Sequence, residues 1–167
     1  MRDEHERWVK GLRDGDGAVF DEIHARHAGR LYGFLRRMTG RADVADDLLQ
    51  DTFLSLARAA PTLRDDTDVG AYLFTIARNA YRSHRRWSLL DVARWFAAPH
   101  PDTTDPRYEE RMDATAATRR LERELAALAD DQREAVLLVC VEGMSCDDAA
   151  AIAGVPAATL RKRLSRA

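Results

Sequence analysis

The chain has 167 residues, of which 46% are hydrophobic and 32% charged, with 26 basic and 28 acidic side chains and a net charge of −2. That length holds one domain or two small ones, and near-neutral charge excludes a uniformly basic nucleic-acid coat, so any polyanion must be met by local clusters. Mean hydropathy is −0.44, no stretch approaches the roughly 18 apolar residues of a membrane span, and residues 1–17 lack the apolar core of a signal peptide. A cytoplasmic protein without direct membrane insertion is expected. Cys140 and Cys146 are the two cysteines, too few for a disulfide framework or a self-contained zinc site. Of the basic residues only Lys10 and Lys162 are lysine, a bias that reads as GC-rich coding.

The elements read as helices throughout. Phe20, Ile23, His27, Leu31, Phe34, Leu35 and Met38 keep a three-to-four spacing, the stripe of an amphipathic helix, which Asp16 starts and Gly40 ends. Asp43 is expected to cap the next helix, whose inner face uses Ala45, Leu48, Leu49, Thr52, Phe53 and Leu56 and which Pro61 stops. After a polar loop, a third helix runs from about Gly70 to Trp87, with Leu73, Ile76, Ala77 and Ala80 inward and the arginines outward. Residues 97–107 carry Pro99, Pro101 and Pro106 among Asp and Thr, which is linker chemistry. Four more helices follow from Leu121 onward. The expected architecture is all-α, two small helical domains joined by a flexible linker: residues 1–87, a linker over 88–115, and residues 116–167.

Charge is unevenly placed along these helices. Residues 78–86 hold Arg78, Arg82, Arg85 and Arg86 without an acid, and the last seven residues hold Arg161, Lys162, Arg163 and Arg166, again without one. Asp43, Asp46, Asp47 and Asp51 form an acidic block. Any one run reads equally as a solvated helix face; two basic runs on separate helices favour a polyanion partner.

The sharpest motif is at the C-terminus. Ser145 can cap a helix with Asp148 three residues on, Ala150 and Gly154 allow a close crossing and a tight turn, and Pro156 suits the first turn of a new helix. Val155, Leu160 and Leu164 face inward, with Thr159, Arg161, Lys162, Arg163, Ser165 and Arg166 largely outward. That is a helix-turn-helix whose basic second helix suits the major groove, where arginine reads guanine edges. The bland alternative is a solvated αα-hairpin.

Residues 143–167, GMSCDDAAAIAGVPAATLRKRLSRA, resemble region 4.2 of bacterial sigma-70-type factors of the extracytoplasmic-function (ECF) class. DVADDLLQDTFL resembles their region 2.2 and AYLFTIARNAYRSHRR their regions 2.3 to 2.4, in matching order. The resemblance implies an alternative sigma factor, not an enzyme and needing no cofactor, that binds core RNA polymerase (β′ clamp helices and β flap) and directs promoter-specific initiation. It implies polymerase docking by Asp46, Asp47, Gln50 and Asp51 with Leu48 and Phe53 in support. It assigns minus-ten DNA to Tyr72, Arg78, Asn79, Arg82, Arg85 and Arg86, with Phe74 or Tyr81 as further stacking candidates. Minus-thirty-five DNA falls to Thr159, Arg161, Lys162, Arg163, Ser165 and Arg166. It also implies an anti-sigma factor, often membrane-anchored, that covers an apolar run at Leu89, Leu90, Val92, Trp95 and Phe96 unless the chain's own domains do so. Three departures stand out: Ala149 replaces a bulky residue, Ser83 a frequent acid, and the last helix stops at Ala167, implying a shortened chain or a weaker upstream grip.

Other constellations are weaker. Asp14 and Asp16 begin like a calcium loop, but Val19 replaces the turn glycine and Ala25 the terminal glutamate. His24 and His27 are read as a half-buried pair without a third ligand, and Cys140 and Cys146 as core thiols, a redox-sensitive pair being the alternative. A magnesium nuclease on Asp46, Asp47 and Asp51 lacks a general base, and Ser83–His84 lacks a third member. The competing function is a free-standing helix-turn-helix regulator, which needs a symmetric dimer face and leaves the second basic run and the acidic helix unused.

Overall fold

The computed structural model describes the backbone of residues 2–92 and 116–167, and side chains within 4–88 and 120–167. Among the described residues there are eight α-helices and no strand. They are α1 (Arg2–Arg13), α2 (Gly17–Thr39), α3 (Ala42–Ala59), α4 (Val69–Val92), α5 (Ala116–Ala127), α6 (Asp130–Val136), α7 (Cys146–Ala153) and α8 (Ala157–Leu164). A 3₁₀ turn, Ala60–Thr62, follows α3, and a π-helical turn, Leu137–Val141, extends α6.

Helices α1 to α4 form the first bundle. The expected stripe of α2 is buried at Ile23, His27, Leu31, Phe34, Leu35 and Met38, but it starts at Val19 and not at Phe20, which is only half-buried. Asp16 accepts the Ala18 and Val19 N–H groups, and Gly40 ends α2 in the left-handed conformation at φ 71°. Helix α1 adds Trp8, Val9 and Leu12 to the core. It crosses α2 at Gly11, where a Cβ would stand 2.6 Å from the Val19 side chain, so glycine sets how closely the two axes approach. Phe34 and Phe74 meet edge to face at 5.6 Å, joining α2 to α4 with the favourable geometry of aromatic pairs.

The helix ends revise two expectations. Arg41, not Asp43, stands at the N-cap of α3 and supplies no side-chain cap; Asp43 lies inside the first turn, where it pairs with Arg41 through bonds of 3.1 and 2.5 Å. An acid there still meets the positive helix end. Helix α4 begins at Val69, with the Asp68 carboxylate accepting the Ala71 N–H at 2.9 Å, and runs through Val92, five residues beyond the expected Trp87. The expected linker over 97–107 and the apolar side chains of 89–96 lie outside the described residues.

The second bundle is built from α5 to α8 around Leu125, Ala135, Leu137, Leu138, Ala149, Ala150, Ile152, Ala153 and Leu160, all buried. Ser145 caps α7 through the Asp148 N–H at 3.1 Å and donates to the Asp148 carboxylate at 2.6 Å. Gly154 closes α7 at φ 63°, a conformation that costs other L-residues roughly 1–2 kcal/mol. Pro156 stands at the N-cap of α8, one residue earlier than expected. Ala149 is fully buried, so the helix crossing closes around a methyl group.

Two histidine and cysteine readings change. His27 is buried under Trp8, ring centroids 5.7 Å apart, whereas His24 is exposed, so they are not a half-buried pair. Cys140 is exposed and not a core thiol, whereas Cys146 is half-buried and packs against the core, and both are free thiols.

The bundles are in contact, α7 packing along α4 and α5 and α6 against α2. Arg133 donates to the carbonyls of Leu125, Ala126 and Leu128 at 2.8–2.9 Å and to that of Met38 at 3.2 Å. One guanidinium thus satisfies the orphan carbonyls ending α5 and ties them to the end of α2. Arg30 of α2 meets Glu142 at 2.8 Å and its carbonyl at 3.0 Å.

Candidate polymerase and nucleic-acid interfaces

The outer face of α3 is acidic. Asp43, Asp47, Gln50 and Asp51 are exposed at spacings of three and four, which align them along one stripe. The Arg41 guanidinium holds the Asp43 carboxyl below the usual carboxylate range. Asp46 is half-buried, and Leu48 and Phe53 are buried, Phe53 lying edge to face on Phe20 at 6.0 Å. They hold the helix down and leave Asp47, Gln50 and Asp51 exposed on its outer face. Leu54, 47% exposed, extends the stripe with an apolar end. Its signal in the sequence is its place three and four residues after Asp51 and Gln50.

On α4 the structure separates residues that the sequence groups together. Asn79, Arg82, Arg85, Arg86 and Trp87 are exposed. Arg78 is not: only 8% exposed, it donates to Glu134 Oε1 at 2.7 Å and to the Ala153 carbonyl at 2.5 Å. Its position one turn before Arg82 sits on the flank covered by α6 and α7, so the expectation of an outward arginine is corrected at this residue. Phe74 is buried against Phe34 and Tyr81 is 7% exposed, which removes both as stacking platforms in this arrangement. Tyr72 is half-buried.

The acids of α6 face this region. Asp130 accepts the Tyr81 hydroxyl at 2.6 Å and pairs with Arg85. Burial pushes the Tyr81 phenol up, against the opposing pull of Arg85 and Arg133, keeping it protonated as a donor. On α8, Thr159, Arg161 and Lys162 are exposed, as are Ser165 at its C-cap and Arg166 just beyond. Arg163 is instead turned under the helix, 3.3 Å from Asp131 and 3.8 Å from Glu134. Arg161 reaches Asp147 across the helix-turn-helix at 3.3 Å. A cleft of about 650 Å³ between the units is lined by Arg82, Arg85, Arg86 and Arg163 and by Asp130, Asp131 and Glu134.

Among the described residues no cluster of three or more His, Cys, Asp or Glu is placed to hold a metal ion, and no helix is long and apolar enough to cross a membrane. What the arrangement presents is one acidic helix face and two basic helices, the second in a helix-turn-helix.

Residues 23–87 match the family model of Sigma-70 region 2, and residues 118–167 that of Sigma-70, region 4. RNA polymerase sigma factor CarQ of Myxococcus xanthus is 38% identical over 159 residues, 95% of this chain and 90% of that protein. ECF RNA polymerase sigma factor EcfG of Rhodopseudomonas palustris (strain TIE-1) is 35% identical over 143 residues, 82% of this chain and 74% of that one. Among solved structures, the sigma factor RpoE in complex with the anti-sigma factor NepR from Bartonella quintana superposes with a TM-score of 0.68 at 29% identity, covering 88% of this chain and 90% of that one. The chain belongs to the ECF class of the sigma-70 family and is an alternative sigma factor.

Proposed function

We propose that this sigma factor docks on core RNA polymerase through the exposed face of α3, with Asp47, Gln50 and Asp51 meeting a basic groove and Leu54 an adjoining apolar one. It then recognises promoters with two helices. Asn79, Arg82, Arg85 and Arg86 of α4 engage the minus-ten element, and Thr159, Arg161 and Lys162 of α8, with Ser165 and Arg166 just past its end, enter the major groove of the minus-thirty-five element. Opening DNA requires a base to leave the stack; Asn79 supplies donors and an acceptor for that base while the arginines hold phosphates. Tyr72 borders the same region. In this reading the promoter-binding units are residues 1–87 and 116–167, with 88–115 as the linker, although α4 itself runs on to Val92.

The observation that carries this reading is the separation of charge: carboxylates on the outer face of α3, cations on α4 and α8. Complementary charge steers encounter and selects partners more than it adds affinity. The protein acts by binding, not by catalysis, and works in the cytoplasm. RpoE was solved with an anti-sigma factor, and a partner of that kind is proposed to restrain this chain too.

Co-purification with core polymerase is the test. The full chain should be retained by immobilised core enzyme, and the Asp47→Lys/Asp51→Lys variant should be lost from it while keeping its helical circular dichroism. Undiminished retention of the variant contradicts the α3 assignment. Absence of retention for the parent chain, with formation of a symmetric dimer on DNA, points instead to a free-standing regulator.

A further inference from the structure

Trp87 is the most exposed large apolar side chain among the described residues, 61% open to solvent, whereas Trp8 is buried at 2%. It does not stand at a fraying end, because α4 keeps its helical backbone through Val92. An indole held rigidly in water is a platform without a partner, since covering it is favourable. Its neighbours indicate the partner's chemistry. No acid occurs in α4 from Val69 through Leu90. Arg82, Arg85 and Arg86 are exposed, and among the described residues only Arg85 of the three has an acid partner, Asp130. Two rows of side chains leave Asn79 at spacings of three and four: Arg82 and Arg86 form one, Ser83 and Trp87 the other. The outer face is thus cationic along one edge and aromatic at the end of the other, continuous with the amide of Asn79. That continuity selects DNA over an acidic protein surface, which would satisfy the arginines alone.

Trp87 lies on the order of 12 Å beyond Asn79 along the helix axis, the length of roughly three to four nucleotide steps. The chain then continues to the unit assigned to the minus-thirty-five element, so this end of α4 is directed at the upstream side, where the strands are still paired. Paired bases hide their faces in the stack, and an indole beside a duplex meets deoxyribose edges bordered by phosphates. We propose that the end of α4 is a further DNA-binding site: Trp87 packs on the sugar edge of the paired spacer immediately upstream of the minus-ten element, while Arg86 holds its phosphate. The inference rests on the minus-ten reading of α4 and adds a contact to DNA outside both recognition elements. Deoxyribose carries no sequence information, so the contact sets register and affinity, not promoter choice. With Asn79 on an opened base and Trp87 on the duplex, one rigid helix spans the boundary between melted and paired DNA.

Holoenzyme reconstituted from core polymerase and the full chain tests this, with fluorescein-labelled promoter probes read by anisotropy. One probe is fully paired upstream of the minus-ten element. The other lacks one strand over about four positions directly upstream of it, the reach set by the helix rise. Trp87→Ala should bind the paired probe about ten-fold more weakly than the parent, the scale of one lost apolar contact. Trp87→Phe should recover much of that loss, and on the gapped probe the parent and Trp87→Ala should bind alike. Equal losses on both probes place the contact elsewhere and overturn the proposal, as does parental affinity of Trp87→Ala for the paired probe. Loss of retention on core polymerase by Trp87→Ala assigns the indole to a protein surface and overturns it too. Asn79→Ala separates this inference from the reading beneath it. If Asn79→Ala weakens both probes and Trp87→Ala neither, the minus-ten reading stands and the spacer contact falls. If Asn79→Ala weakens neither, the α4 reading falls and takes the spacer contact with it.

Discussion

Arg78 of α4 and Glu134 of α6 meet at 2.7 Å with side chains only 9% and 6% exposed, across 56 positions of sequence. Nothing else in the chain joins the two units by so dry an ionic contact among the described residues. Alanine at either position strands the other charge, an effect of about 3–5 kcal/mol when the site cannot open. Here parting of the units can rehydrate the survivor, so each single substitution should cost less than that range. A double-mutant cycle by urea denaturation should return a coupling of about 1–3 kcal/mol. Additive single effects would show that the contact does not bind the units together.

His27 makes stability depend on pH. Its imidazole is buried beneath Trp8 with both ring nitrogens lacking a hydrogen-bond partner. Burial lowers its pKa from 6.5, and Arg30 and Arg26 lower it further, against weaker help from Asp68. The unfolded chain therefore binds this proton more readily than the folded one, so the stabilisation is complete above about pH 6.5 and is lost as pH falls towards the depressed value. Thermal unfolding between pH 8 and pH 5 should show a falling midpoint, and His27→Leu should flatten that slope. An equal slope in the variant assigns the pH dependence to other groups.

Exposed and inward-turned cations of α8 should separate in DNA binding. Lys162→Ala and Arg161→Ala should each weaken minus-thirty-five binding by roughly 1–3 kcal/mol where they make a base contact, without loss of fold. The Arg161–Asp147 pair is exposed on both sides, 60% and 78%, and exposed pairs of this kind contribute little to stability. Fluorescence anisotropy with a cognate promoter duplex checks this; parental affinity in both variants removes α8 from the groove.

Much of this architecture is legible in the residues themselves. The α2 stripe, the Ser145 cap and the Gly154 turn are local patterns, and each forms where its pattern places it. Helix α1 is harder to read, because among its described residues only Trp8, Val9 and Leu12 are buried apolar side chains, and they need Gly11 against Val19 to dock. Arg78 was misread for a different reason. An arginine in a basic run carries no local mark of burial; its partner lies in another unit. Arg133 is similarly silent, since its acceptors are helix-end carbonyls that exist only after folding. Leu54 was available from its spacing but is one apolar residue among several in α3.

The most direct test of the central claim is run-off transcription by core RNA polymerase on genomic promoter fragments, with and without the full chain. The account predicts discrete transcripts that require the chain, disappear with Asp47→Lys/Asp51→Lys, and fall with Lys162→Ala. Transcripts that do not depend on the chain, or that survive the α3 charge reversal unchanged, would contradict it.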